Sequence, residues 1–500
     1  MGERFRGVAL GYVLIIVQTI VNLAYTPMLL SGIGQSEYGL YQLVGSIAAY
    51  MTILESMLTS SALRFYCNAR AAANEEEMAR TLTIGRFLYR CASVLILIIG
   101  AIAVAAFKSA YSSSLTEVEL KEGVVLLALL IATIVLNMLN YTTTVILSGN
   151  EKFSFIKVVD IVTVVAQPFT VILVIRAIPY AFVISAVQLI VTMLSWIWKR
   201  AYVHYRLGIV VRSQHCAWKD VKPMLAFSLT IAIAMIADIV FAKSNQLILG
   251  FISGTGAVAV YSIGYQVFSS YSSLGTVLSS VFMPHLSELA AEDDSLQKLT
   301  DAWVRTGRLT YYVITAILVG FLLYGMEFLD IWVGPGFIDA YYVSLLMMGG
   351  YYIDILQKLA LTILQVLNKY SFRSVMYVAA AIINIPLAIV LTKEIGVVGS
   401  ALASALVLMA ISGFVMNVYY FKTVGLGVGR FWREIFNSAK LLPIILVLGY
   451  MIRVIRLDGP VFEFCLHCAL FALMYLVASF FSFNNDERAF FSRLLQRNKI

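Results

Sequence analysis

Five ionisable side chains stand inside long apolar runs of this 500-residue chain: Glu55, Asp238, Lys243, Asp354 and Lys358. A charge at the bilayer centre costs at least ~2.5–3.5 kcal/mol unless it is paired or wetted, so such residues usually mark an ion or substrate path. Asp354 and Lys358 are four apart, on one helix face and within reach of each other. Asp238 and Lys243 are five apart, roughly 140° around a helix, and must look elsewhere, Asp238 to Lys358 or Lys243 to Asp354. Carboxylates so placed can take up a proton or Na⁺, and the lysines can dock an anionic headgroup. The competing reading is a buried salt-bridge cluster that only fixes a helix bundle.

Polar groups without charge form a second tier. Gln18 and Asn22 share one helical face, and Asn137, Asn140, Tyr141 and Thr144 cluster in another run. Each is accounted for as well by interhelical hydrogen bonding as by substrate contact. Two runs carry matching stripes at helical spacing: Gly45, Ala49, Thr52, Ser56 and Thr59, and Tyr265, Ser269, Ser272, Thr276 and Ser279. Close helix packing explains small residues there, and a polar wall for a sugar-like headgroup is the alternative. Cys465-Leu466-His467-Cys468 is a metal half-site with no second pair, so no metal centre is expected. Gly250–Gly256 lacks the Gly-Lys-Ser/Thr ending of a phosphate loop, and no ATPase motif is present.

The elements that must position these groups follow from composition. Hydrophobic residues make up 61% of the chain and charged ones 13%, with a mean hydropathy of +0.87. That excludes a soluble multidomain enzyme and a disordered chain, and it predicts a polytopic α-helical membrane protein. Five cysteines, Cys67, Cys91, Cys216, Cys465 and Cys468, are too scattered for a disulfide framework. The first apolar run is too long for a cleaved signal peptide. Runs of about 20 apolar residues predict fourteen spans, near 8–30, 40–62, 87–107, 122–147, 158–176, 179–198, 223–247, 256–282, 309–330, 338–363, 374–392, 396–417, 438–454 and 461–482.

Loop charge sets the expected orientation. With the N-terminus inside, inner segments hold about 27 of the 36 basic residues and outer ones about six, which predicts that both termini are cytoplasmic. The net charge of +8 is therefore a matter of location and not a nucleic-acid signal. Arg64, Arg86 and Arg90 lie near inner span ends. They could gather a pyrophosphate at a cytoplasmic mouth, since guanidinium suits phosphate geometry. Plain topology also predicts arginines there.

The two halves look alike. Lys152-Phe153-Ser154-Phe155 recurs as Lys369-Tyr370-Ser371-Phe372, Glu75-Glu76-Glu77 as Glu292-Asp293-Asp294, Gly34 and Tyr41 as Gly254 and Tyr261, and Pro168 as Pro386. An even six-span repeat enters the membrane the same way twice, which predicts two six-helix bundles about a pseudo-two-fold axis along the membrane normal. The expected organisation is a first bundle over 1–200, a cytoplasmic linker over 201–222, a second bundle over 223–420, and helices 13 and 14 with a tail over 421–500.

Six plus six plus two spans, the paired Lys-Phe-Ser-Phe and Lys-Tyr-Ser-Phe loops, and Pro27-Met28-Leu29-Leu30 followed by Glu37-Tyr38-Gly39-Leu40-Tyr41 resemble the polysaccharide flippases. These form a branch of the multidrug/oligosaccharidyl-lipid/polysaccharide exporter superfamily. The resemblance implies a MATE-like fold in a bacterial inner membrane and no enzymatic activity. It implies passage of undecaprenyl-pyrophosphate-linked oligosaccharide, such as O-antigen, from the inner to the outer leaflet by alternating access. No cofactor is implied beyond H⁺ or Na⁺ coupling, and the implied partners are the lipid-linked oligosaccharide, membrane lipids and glycan polymerase machinery. A cation-coupled multidrug antiporter of the same superfamily is the nearest alternative, because its members carry functional carboxylates in the seventh and tenth helices, where Asp238 and Asp354 lie. Lys243 and Lys358 argue against cationic drugs. A membrane enzyme of glycan assembly is a second alternative. The outer loop from Lys108 to Lys121, the longest, is short for a catalytic one.

Overall fold

The computed structural model of the chain describes residues 3–209, 218–280, 286, 289–290, 295–367, 369–455 and 459–483. Glu292-Asp293-Asp294, the linker stretch 210–217, the basic tail with Arg488, Arg493, Arg497 and Lys499, and the side chains of Thr276 and Ser279 lie outside the described residues. Every regular element among the described residues is helical. Ten continuous helical runs are long and apolar enough to cross a membrane. Three of them turn at a non-helical glycine, Gly34, Gly254 or Gly396, and so hold two spans each. With the paired segments Ile338–Leu356 and Lys358–Val366, this makes fourteen spans.

In chain order they are α1 (3–33), α2 (35–71), α3 (Glu75–Ala110), α4 (Glu117–Leu139 continuing as Tyr141–Gly149), α5 (Phe153–Ile175), α6 (Phe182–Tyr202) and α7 (218–253). Then come α8 (255–280), α9 (Ser295–Trp332), α10 (Ile338–Leu356 continuing as Lys358–Val366), α11 (371–394), α12 (397–424), α13 (Val428–Ile452) and α14 (Pro460–Ser482). Most run beyond their apolar centres because polar flanks stay helical. Asn74 caps the first turn of α3, where Arg80 pairs with Glu76. Thr116 and Glu119 form a capping box that starts α4.

The chain divides into two compact units, 1–259 and 260–500. This division groups α7 with the first unit. The boundaries expected from the repeat rest on duplication, a different criterion, and they stay a proposal.

In the first unit the two glycine kinks are tied together. Gly34 (φ 84°, ψ 170°) and Gly254 (φ 79°, ψ −173°) share a backbone region that only glycine occupies at ease. Beyond each kink a hydroxyl reaches the same carboxylate: Ser36 Oγ donates to Glu119 Oε1 at 2.5 Å, and Thr255 Oγ1 donates to it at 2.7 Å. Gln35 donates to the Gly256 carbonyl at 3.1 Å. Gly39 has no room for a methyl group, because the Thr255 carbonyl fills that space. Further along, Ser61 bonds the Met224 carbonyl, and the Arg64 guanidinium lies 4.3 Å over the Phe227 ring, which holds α7 to the end of α2.

In the second unit, α13 and α14 dock on α9. Arg308, 3% exposed, donates to Glu434 Oε2 at 2.9 Å and to the Ser482 carbonyl at 3.0 Å, so one guanidinium engages both added helices. Trp303 stacks on Phe431, and Val319, Tyr324, Ile445, Phe471 and Tyr475 close an apolar cluster between the three helices. Arg453 pairs with Glu327 at 2.8 Å.

Candidate functional site

α10 crosses as two pieces, and Gln357 is the non-helical residue between them. Asp354 stands just before the break and Lys358 just after it. The pair allowed by their spacing forms, with Lys358 Nζ 3.6 Å from Asp354 Oδ2. The other oxygen, Oδ1, accepts from the Tyr377 hydroxyl of α11 and from Ser412 Oγ of α12 at 3.4 Å. Arg373 joins them from the first turn of α11. Its guanidinium lies 4.0 Å over the Tyr377 ring and donates to the Tyr370 hydroxyl, and its charge acts on Asp354 through space. The carboxylate is 8% exposed, as is Arg373. Beside this cluster, Asn417 Oδ1 accepts from Gln357 at 2.7 Å and from the Trp432 indole at 2.9 Å. The site thus holds one carboxylate, two cations and a ring of neutral donors on α10, α11, α12 and α13.

The first unit repeats this frame without the charges. α4 is also broken, at Asn140, which precedes Gln357 by the same 217 residues that separate Lys152 from Lys369. At that offset Asn137 answers to Asp354 and Tyr141 to Lys358. The recurring loop motifs also have a shared task. Phe155 stacks on Tyr202 at 3.9 Å, and Phe372 stacks on Tyr419 at 4.1 Å, both pairs 217 residues apart. Each stack ties the start of one span to the end of the next.

Most of the remaining candidates belong to the first unit. Lys243, half-buried in α7, reaches Gln246 Oε1 at 3.3 Å beside the buried Asn245. Asp238 is exposed one and a half turns earlier, and Gln18 and Asn22 are exposed on α1. Glu55 is half-buried, and its main-chain carbonyl accepts from Thr59 and Tyr89, while no hydrogen bond or ion pair to its carboxylate is made among the described residues. Asn137 is half-buried and Asn140 buried, with the Asn140 side-chain oxygen left without a hydrogen bond. The stripe Gly45, Ala49, Thr52, Ser56 and Thr59 is half-buried, as are Tyr265 and Ser272, and Ser269 is exposed. Arg86 and Arg90 face a cavity of about 900 Å³ inside the first unit, whereas Arg64 is on the Phe227 ring and not in that lining. Among the three, Arg86 and Arg90 share this lining. His467 is fully buried, with Nε2 2.9 Å from the Ile455 carbonyl.

Sequence reasoning missed Arg373, Tyr377, Asn417 and Trp432. Arg373 stands at a span end where loop charge alone accounts for an arginine, although Tyr370, Arg373 and Tyr377 fall at three- and four-residue spacings that place them on one helix face.

Residues 33–341, more than half of the chain, match the polysaccharide biosynthesis protein family. A Shigella flexneri protein named provisionally as an O-antigen transporter is 21% identical over 396 residues, 77% of this chain and 90% of its own length. Among solved structures, the lipid II flippase MurJ in an inward closed conformation superposes with a TM-score of 0.74 at 15% identity, over 94% of this chain and 97% of its own. An inward-facing multidrug resistance MATE transporter of the MOP superfamily gives 0.64 at 13% identity, over 80% and 93%. These relatives are named for transport or flipping and not for a catalysed reaction. Fourteen spans in the MurJ and MATE arrangement make this a multi-pass membrane protein, and the match over residues 33–341 makes it a member of the polysaccharide biosynthesis protein family.

Proposed function

We propose that the chain moves undecaprenyl-pyrophosphate-linked oligosaccharide from the inner to the outer leaflet of a bacterial cytoplasmic membrane, for surface polysaccharides such as O-antigen. The observation that carries this reading is the excess of positive charge around Asp354, where Lys358 pairs with the single carboxylate and Arg373 lies over the Tyr377 ring whose hydroxyl bonds it. Such a site suits an anionic headgroup, and its neutral donors suit sugar hydroxyls. Membership of the polysaccharide family supports the same substrate class. The distribution of loop arginines and lysines supports cytoplasmic termini.

The drive in this proposal is a proton or Na⁺ gradient. Glu55 is the best-placed carrier, because a carboxylate in a span with no cation beside it among the described residues is favoured only when protonated, ion-bound or wetted. The alternative of a cationic-drug antiporter keeps the carboxylates Asp238 and Asp354, but the two cations beside Asp354 repel its substrates. A glycan polymerase would then receive the translocated product.

The test deletes the gene in its native host and follows lipid-linked oligosaccharide in each leaflet. The expected result is accumulation on the cytoplasmic side with loss of surface glycan, reversed by a plasmid copy. Unchanged surface glycan with sharper sensitivity to cationic dyes would replace this reading with the antiporter. Glycan that crosses but stays unpolymerised would point to the enzyme.

A further inference from the structure

The cavity of about 900 Å³ in the first unit shares no lining residue with the Asp354 cluster. Its walls come from the early turns of α3, both sides of the α4 break, and the end of α6 with the π-turn that follows. Arg86 and Arg90, one turn apart on α3, face it together with Arg200 of α6 and His204. No acidic residue lines it among the described residues. Three guanidinium groups around one volume repel each other, and a bound anion relieves that repulsion. Guanidinium forks match phosphate oxygens bidentately.

Two further features point to the shape of the ligand. Tyr141 lines the cavity with its ring, stacked on Tyr89 at 3.8 Å, while its hydroxyl packs against Gly85 of α3. Much of the rest of the wall is apolar, including Leu139, Ile146 and Ile197, and Trp196 lies under Arg200 at 5.5 Å. The volume is at the upper end of small-molecule pockets and far exceeds a free phosphate ion. Basic pockets between spans near a membrane surface suit lipid headgroups.

We propose that this cavity binds the phosphate head of an anionic lipid, with the lipid's apolar part along the Leu139–Ile146 wall. A bilayer phospholipid and a polyprenyl diphosphate offer the same head chemistry. The proposal does not rest on the flippase reading, since it concerns occupancy and not translocation.

The experiment titrates the purified full chain in detergent, by native mass spectrometry, with short-chain phosphatidylglycerol, phosphatidylcholine, undecaprenyl diphosphate and inorganic pyrophosphate. The wild-type chain is expected to bind the anionic lipids at least tenfold more tightly than phosphatidylcholine. The triple variant Arg86→Gln, Arg90→Gln, Arg200→Gln is expected to lose that preference, and the surface control Arg206→Gln, Lys222→Gln to keep it. Preference for undecaprenyl diphosphate over phosphatidylglycerol assigns the site to the polyprenyl lipid, and equal binding assigns it to anionic lipids in general. Equal affinity of the wild-type chain for phosphatidylglycerol and phosphatidylcholine overturns the proposal, whatever the variants do. So does pyrophosphate binding as tight as either anionic lipid, because the apolar wall would then add nothing.

Discussion

Asp354 keeps a charge inside a span because four side chains answer it: Lys358, Tyr377, Ser412 and, through space, Arg373. Removing one member leaves the others uncompensated, which is worse than removing a matched pair. Asp354→Asn should therefore lower the melting temperature more than Lys358→Gln. The double variant should melt above Asp354→Asn, with a coupling energy of ~0.5–3 kcal/mol in a double-mutant cycle. Thermal unfolding in detergent reads this directly. Full transport by a variant neutralised at Asp238, Lys243, Asp354 and Lys358 together would remove these residues from the mechanism. The importance of Asp354 and Lys358 was legible in the sequence because charge in an apolar run is conspicuous. Arg373 was not, since it sits at a span end where arginine is ordinary, and only the fold turns it back over Tyr377.

At the scale of elements, the span count was legible because apolar runs and charge clusters alternate. Gly34 and Gly254, which align in the expected repeat, share one backbone conformation. Alanine at either position forces a strained backbone, costing ~1–3 kcal/mol. Gly254→Ala should lose more than Gly34→Ala, because its new methyl would also stand 2.9 Å from the Ser114 carbonyl, while Gly34 faces open space. Comparing the two melting curves checks the order. The breaks at Asn140 and Gln357 were hidden, since neither proline nor glycine marks them. The duplicated aromatic stacks give another prediction: Phe372→Ala should cost ~0.5–1.5 kcal/mol beyond its lost area, and nothing beyond that area once Tyr419 is already alanine.

Across the whole molecule, the repeat preserved scaffold and let chemistry diverge. Glycine kinks, broken helices and aromatic stacks occur in both halves, but the pair at a helix break is charged only in the second. The sequence showed the duplication without showing this asymmetry, because its matching motifs are the structural ones. The two helices outside the repeat look dispensable by symmetry, yet Arg308 donates a hydrogen bond to each of them. Arg308→Gln should loosen α13 and α14 and lower the melting temperature in detergent, with a stability loss of ~3–5 kcal/mol for a broken buried pair. That residue also makes a lineage marker. In a relative that ends after twelve spans, an arginine at this place, one residue before the apolar run 309–330, would have neither Glu434 nor the Ser482 carbonyl to bond, so natural twelve-span chains have no structural reason to keep it. The identity of one residue in the ninth span would then report whether a gene fragment has lost its last two helices or never had them.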